Sequence, residues 1–103
     1  MQFDEEEISV SEKACFLPGA TAHRHDVVLF AMDEEKGVGQ IQMFAKIGLA
    51  NYACLHLWDP CGVNRFQMRS KPVMVPLDAI IDTCIYTIRH GDEVDVVPTT
   101  TRI

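Results

Sequence analysis

One stretch constrains the fold more than any other: residues 39–59, GQIQMFAKIGLANYACLHLWD. Ile41, Met43, Ala45 and Ile47 alternate with Gln40, Gln42, Phe44 and Lys46. After a break at residues 48–52, Ala53, Leu55 and Leu57 alternate with Cys54, His56 and Trp58. Side chains on a strand point to opposite faces with a period of two. The stretch therefore predicts two long strands and a tight connection. Pairing Ile47 with Ala53 puts the aliphatic residues of both strands on one face. Phe44, His56 and Trp58 then share the other face with Gln42 and Lys46. A slip of one residue would mix the faces, and the hydrophobic pattern selects register.

The remaining segments read as further short strands. Residues 27–32, VVLFAM, are apolar on both faces and predict a central strand covered on both sides. Residues 33–37 form the next turn, with Gly37 free to take positive φ. Asp59-Pro60-Cys61-Gly62 has the residue preferences of a type I turn. Residues 65–69 alternate, with Phe66 and Met68 inward, and Pro72 ends that strand. Pro76 bars residues 73–75 from a central position. Residues 77–82 predict one helical turn that plugs the core with Leu77, Ile80 and Ile81. Strands at residues 84–89 and 94–97 flank a turn at 90–93.

At the N-terminus, Ser9-Val10-Ser11-Glu12 has the spacing of a helix capping box. A short helix over residues 10–17, stopped by Pro18-Gly19, fits this signal. An irregular arm packed by Cys15, Phe16 and Leu17 fits it equally. The expected organisation is an acidic arm at 1–24, a β-barrel domain at 25–98 and a tail at 99–103. The fold class is mainly β: a small antiparallel, partly open SH3-like barrel with at most one short helix.

Length and composition bound the class. A chain of 103 residues suits a single core. An apolar content of 48% excludes a disordered chain. No apolar run approaches the roughly 18 residues of a membrane span, so no membrane partner is expected. The start, MQFDEEE, is acidic where a secretory signal is basic and then apolar. The expected location is therefore intracellular. Cys15, Cys54, Cys61 and Cys84 are widely spaced, and reduced thiols are expected. The net charge of −6 lies in residues 1–60, with ten acids against four Lys/Arg; residues 61–103 hold five of each. An acidic surface repels phosphate backbones, so free nucleic acid is not expected as the main partner.

The order of motifs resembles bromo-adjacent homology (BAH) domains. HDVVLF at 25–30 is similar to that family's "GDVVLV" opening strand, and GQIQMF at 39–44 sits where it has "yIgrIleI". Residues 52–60, ending Trp58-Asp59-Pro60, resemble its "v.v.WfyrP" segment. VPLDAIIDTC at 75–84 resembles its "vpvdsIigkC" closing stretch. The likeness covers residues 25–88. The family's acidic-Leu-Phe-x-Ser element is replaced here by Arg65-Phe66-Gln67-Met68-Arg69-Ser70. The resemblance implies a barrel fold and a reader-type role. Such modules occur in chromatin and mobile-element proteins, and a chromatin role would place the protein in the nucleus.

Several constellations could carry chemistry. Phe44, Tyr52 and Trp58, with His56, could form a ligand-facing aromatic surface, since aromatic faces attract cations. The competing arrangement has Trp58 and Phe44 covering a second core under the N-terminal arm. Arg65, Arg69 and Lys71, with Gln67, form an outward basic stripe suited to phosphates or an acidic peptide, or simply a charged, protected edge. His23 and His25, completed by Cys54, His56 and Cys61, are the candidate metal ligands. No C-x-x-C accompanies them, so no metal or other cofactor is expected. Gly37-Val38-Gly39 lacks the third glycine of a dinucleotide fingerprint and reads as turn chemistry. Cys54 and His56 share a face, but no oxyanion device or orienting third group is visible. These features favour a non-catalytic module that binds a protein peptide. A small β-barrel metal protein or enzyme is the alternative. An acidic inhibitor that mimics nucleic acid through residues 4–7 and 33–35 is a further one.

Overall fold

The computed structural model describes residues 8–98; the acidic residues 4–7 and the expected tail at 99–103 lie outside the described residues. The chain is mainly β and antiparallel. Its centre is the doubly apolar run of 27–32, which forms β4 (Val27–Met32). This strand pairs with β5 (Glu35–Ile47) on one side and β8 (Ile80–His90) on the other. Val27 and Val28 point to opposite faces, and both are buried. Coverage on both sides was the expectation for this run, and it holds.

β6 (Ala50–Gly62) and β7 (Arg65–Pro76) extend the hairpin started by β5. β9 (Glu93–Pro98) pairs with β8 and, over three residues, with β7. Pairings run β5-β4-β8-β9-β7-β6 and return to β5, a closed circuit of six strands. Outside it, β1 (Ile8–Ser11) adds to β5, while β2 (Lys13–Leu17) and β3 (Ala20–His23) form a separate hairpin. Among the described residues no helix is long and apolar enough to cross a membrane.

Residues 10–17 are not helical: β1 ends at Ser11, Glu12 bends the chain, and β2 begins at Lys13. The Ser11 hydroxyl donates to the Lys13 carbonyl at 2.7 Å and accepts from the Lys13 amide at 3.2 Å. Ser residues offer the backbone such local alternatives to helix, and here the bond turns the chain from β1 into β2. Pro18-Gly19 closes the β2–β3 hairpin, with Gly19 at φ 79°. Pro followed by a positive-φ Gly is the type II pattern. The arm therefore packs as a hairpin through Ala14 and Phe16, whereas Cys15 and Leu17 point outward.

Two other turn assignments change. Met32 pairs with Glu35, so Asp33 and Glu34 alone form the connection, at φ 55° and 70°. Positive φ at both central residues is the type I′ geometry that suits hairpin twist. Gly37 lies inside β5 at ordinary φ. Its hydrogen is required by Phe30, whose ring would lie 2.8 Å from an added Cβ. Asp59-Pro60-Cys61-Gly62 belongs to β6, and the turn falls at Val63-Asn64, with Asn64 at φ 57°.

Pro72 does not end a strand. β7 runs through it and pairs with β6 as far as Pro76. From Arg69 onward β7 has no second neighbour among the described residues. Proline is tolerated on such an edge. Leu77–Ala79 forms the expected single helical turn. It delivers Ile80 to the core and packs Leu77 against it, but Ile81 faces out.

Two cores result. The first gathers Val28, Phe30, Ile41, Phe44, Leu55 and Ile80. The second, behind β4, gathers Val27, Val38, Trp58, Val94 and Val96. The register between β5 and β6 explains the division. Ile47 pairs with Ala50, not Ala53, because Gly48, at φ 64°, and Leu49 suffice for the turn. Ile41 faces Leu55 and Met43 faces Cys54, so Gln42 is an extra residue. This bulge moves Phe44 onto the inner face beside Ile41 and turns Met43 away.

Candidate functional site

The expected aromatic surface does not form. Phe44 is buried in the first core, where Ala22, Ala14 and Phe16 of the N-terminal hairpin pack. Tyr52 sits near the β5–β6 turn, in register with Ala45 and Pro76. His56 lies between Gln40 and Pro72, on a groove that includes Cys54 and Met74. Trp58 is only 2% exposed and belongs to the second core. A second irregularity causes this: residues 68–70 of β7 oppose Trp58 alone, between the pairs Leu57–Lys71 and Asp59–Gln67. The competing arrangement is thus half right. Trp58 does cover a second core, but the β8–β9 hairpin builds it, not the N-terminal arm.

The basic stripe is present and partly neutralised, its cations sharing two carboxylates, Asp59 and Asp95. Arg69 Nε donates to Asp59 Oδ2 at 2.9 Å, and Arg69 Nη2 donates to Gln67 Oε1 at 3.1 Å. Lys71 Nζ reaches Asp59 Oδ1 at 3.5 Å. The Arg69 hydrogen bond, helped by the Lys71 charge, holds the Asp59 carboxyl below the usual carboxylate range. Arg65 Nε lies 3.7 Å from Asp95 Oδ1, and Arg89 Nη1 lies 3.1 Å from Asp95 Oδ2. An arrangement in which each stripe cation already meets a carboxylate suits edge protection better than capture of an anion.

The candidate metal ligands are dispersed. His23 Nδ1 lies 3.8 Å from Asp26 Oδ2. His25 occupies a positive-φ turn, and Cys61 Sγ lies 3.9 Å from Glu93 Oε2. Cys54 and His56 are on another part of β6. Among the described residues no three His, Cys, Asp or Glu side chains gather where they could hold a metal ion. The four cysteines are free thiols, with Cys15 and Cys61 exposed.

What the fold does assemble is a cleft of about 620 Å³ between the β4–β5 turn and the β6–β7 hairpin. Its floor is apolar: Phe30, Leu57, Trp58, Phe66, Val73 and Val75. β4 supplies Phe30, whose ring tip sits against Gly37. β6 supplies Leu57 and Trp58, on adjacent positions that both reach the cleft because of the local irregularity. β7 supplies the other three. The rim is charged, with exposed Asp33 and Glu35 on the turn, Lys36 beside them, and Asp59 across. Volume and lining fall within the range of ordinary binding pockets.

Trp58 is legible in the sequence as a candidate; Phe30 and Phe66 read as inward strand residues, and Val73 only as part of a short, non-central strand. Their half-open position depends on β6 and β7 diverging around Trp58, which no periodicity reports. Comparison of the chain with known protein families, characterised proteins and solved structures finds no match.

Proposed function

We propose that this protein is a non-catalytic interaction module, an SH3-like barrel that binds a protein peptide in the cleft between the β4–β5 turn and the β6–β7 hairpin. The closed circuit of bent strands and the single helical turn before β8 support the SH3-like assignment. The likeness of the motifs at 25–30, 39–44, 52–60 and 75–84 to BAH domains suggests a chromatin or mobile-element setting.

The observation that carries the reading is the pairing of apolar floor with acidic rim. A peptide side chain that fills the floor must be apolar, because Phe30, Leu57, Phe66 and Val73 offer no polar partner there. Residues that flank this anchor meet Asp33, Glu34 and Glu35, all exposed on one turn. The complementary peptide therefore carries a large apolar residue next to Lys or Arg. Electrostatic complementarity of this kind speeds encounter and excludes acidic competitors.

The test is selection from a displayed random peptide library, followed by titration of the selected peptides into isotope-labelled protein. Enriched apolar-basic sequences that shift the amides of residues 33–37, Phe66 and Val73 would support the reading. The half-exposed Val73→Lys variant should lose binding while its spectrum stays folded. Shifts confined to another face, or acidic peptides that bind equally well, would overturn it.

A further inference from the structure

We propose that the outer face of β5, β6 and β7 holds a soft-metal site for Cu(I), built from Cys54, Met43, Met74 and His56. The site does not rest on the peptide-binding reading of the cleft. Cys54 lies directly opposite Met43 on β5 and directly opposite Met74 on β7. Residues opposite one another share a face, with Cβ atoms about 4.5–5.5 Å apart. Three sulfur side chains therefore stand in a row across three neighbouring strands. His56 follows Cys54 by two positions, on the same face and about 7 Å along the strand. All four line one groove of about 400 Å³.

The bulge at Gln42 makes the row. Uninterrupted pairing from Ile41 and Leu55 onward would set Gln42 opposite Cys54 and Met43 opposite the buried Ala53. The extra residue puts a thioether, in place of an amide, beside the Cys54 thiol. Met43, Cys54 and His56 are half-buried and Met74 is 48% exposed, so the groove is open to solvent. Methionine is unbranched and flexible. Its Sδ can swing over Cys54 Sγ from either neighbouring strand, while the His56 ring reaches the same point from along β6.

Ligand softness names the ion. Thiolate and thioether sulfur select Cu(I), whereas carboxylate and carbonyl oxygen suit magnesium, calcium and manganese. No carboxylate lines the groove; its other side chains are Gln42, Leu55, Pro72 and Val73. Zinc takes thiolate, imidazole and carboxylate ligands, of which the groove offers a single thiol and a single imidazole. Cys54 is a free thiol. Binding forms a bond from copper to Cys54 Sγ as the thiol releases its proton to solvent, and His56 binds as the neutral imidazole. Copper stays Cu(I) throughout, so no electron is transferred. Affinity falls as pH is lowered, because protons compete for both groups.

Anaerobic titration of the whole protein with Cu(I), in competition with a chromophoric Cu(I) chelator, tests this directly. The protein should withhold one equivalent from the chelator, and the methyl resonances of Met43 and Met74 should shift with that equivalent. Cys54→Ser should abolish the binding. Met43→Leu and Met74→Leu, which conserve volume, should each weaken it by about tenfold or more. Replacing the exposed Cys15 and Cys61 together by Ser should leave it unchanged, and excess zinc should not displace the copper. The methyl shifts in the wild type read the site even if a variant folds poorly. A protein that retains no copper, retention that survives Cys54→Ser, or binding that leaves both methyl resonances unmoved would overturn the proposal.

Discussion

The rings of Trp58 and Tyr86 meet edge to face, with centroids 5.7 Å apart and planes inclined at 79°. This contact ties β6 to the β8–β9 hairpin and closes the second core over Val27, Val94 and Val96. Edge-to-face aromatic pairs add about 0.5–1.5 kcal/mol beyond their buried area.

The sole tryptophan therefore reports on core formation. Its emission is expected to be blue-shifted and shielded from acrylamide. Trp58→Ala should cost roughly 3–5 kcal/mol. Tyr86→Ala, at a residue 39% exposed, should cost less but move the Trp58 emission to the red. A solvated indole in the native protein would mean that the β8–β9 hairpin does not seat on this core.

Two glycines in β5 are held by neighbours. A Cβ on Gly39 would lie 2.8 Å from the His56 carbonyl oxygen, whereas one on Gly37 would meet the rim of the Phe30 ring. Backbone cannot yield as a ring can. Gly39→Ala should therefore destabilise by about 1–3 kcal/mol or more, and Gly37→Ala by less. Adding Phe30→Leu to Gly37→Ala should recover part of the loss, a coupling that a double-mutant cycle measures. Additive effects would show that ring and glycine do not touch.

Cys84 gives the fold an alkaline limit. Burial, reinforced by the Asp82 charge, pushes its thiol from an ordinary value of 9.0 up to about 11. The folded state thus holds the proton more tightly than the unfolded chain. The resulting stability is fully present below about pH 9 and is lost as pH rises toward 11. Denaturation midpoints measured across this window should fall with pH in the wild type and fall less in Cys84→Val. Cys84 should also alkylate more slowly than exposed Cys15 and Cys61 near pH 8, since the thiolate is the nucleophile.

Local chemistry was legible where one residue type has one physical use. The doubly apolar 27–32, the turn at 90–93 and a helical turn within 77–82 fall where expected, whereas Pro18-Gly19, expected to stop a helix, closes a hairpin instead. Faces were not legible beyond Ile41. Sequence alternation continues smoothly through Gln42, so nothing local marks the extra residue; the need to bury Phe44 with Ala53 and Leu55 selects it. The same holds at Trp58, where three residues of β7 spread around one ring. The cleft depends on that spread, so its floor read as core. Pairing of the basic stripe was also hidden, because Asp59 lies ten and twelve positions from Arg69 and Lys71 in sequence and adjacent to them only across β6 and β7.

The bulge at Gln42 makes the strongest claim about how this sequence sets its cores. Gln42 contributes little through its side chain, which is half-buried and donates one hydrogen bond to the Gln40 carbonyl at 3.2 Å. Gln42→Ala should cost no more than about 1 kcal/mol. Its backbone, however, sets the parity of everything between it and the β5–β6 turn. Deleting residue 42 removes the bulge, and a one-residue shift sends each side chain to the opposite face. Phe44 and Lys46 would leave the inner face together, and Met43, Ala45 and Ile47 would turn toward it. Losing a buried Phe alone costs roughly 3–5 kcal/mol, against the about 5–15 kcal/mol that holds a typical domain. The deletion variant should therefore lack a cooperative thermal transition, while Gln42→Ala melts close to the wild type. A deletion variant that unfolds cooperatively near the wild-type temperature would mean that the pairing of Ile47 with Ala50 does not fix the register of these strands.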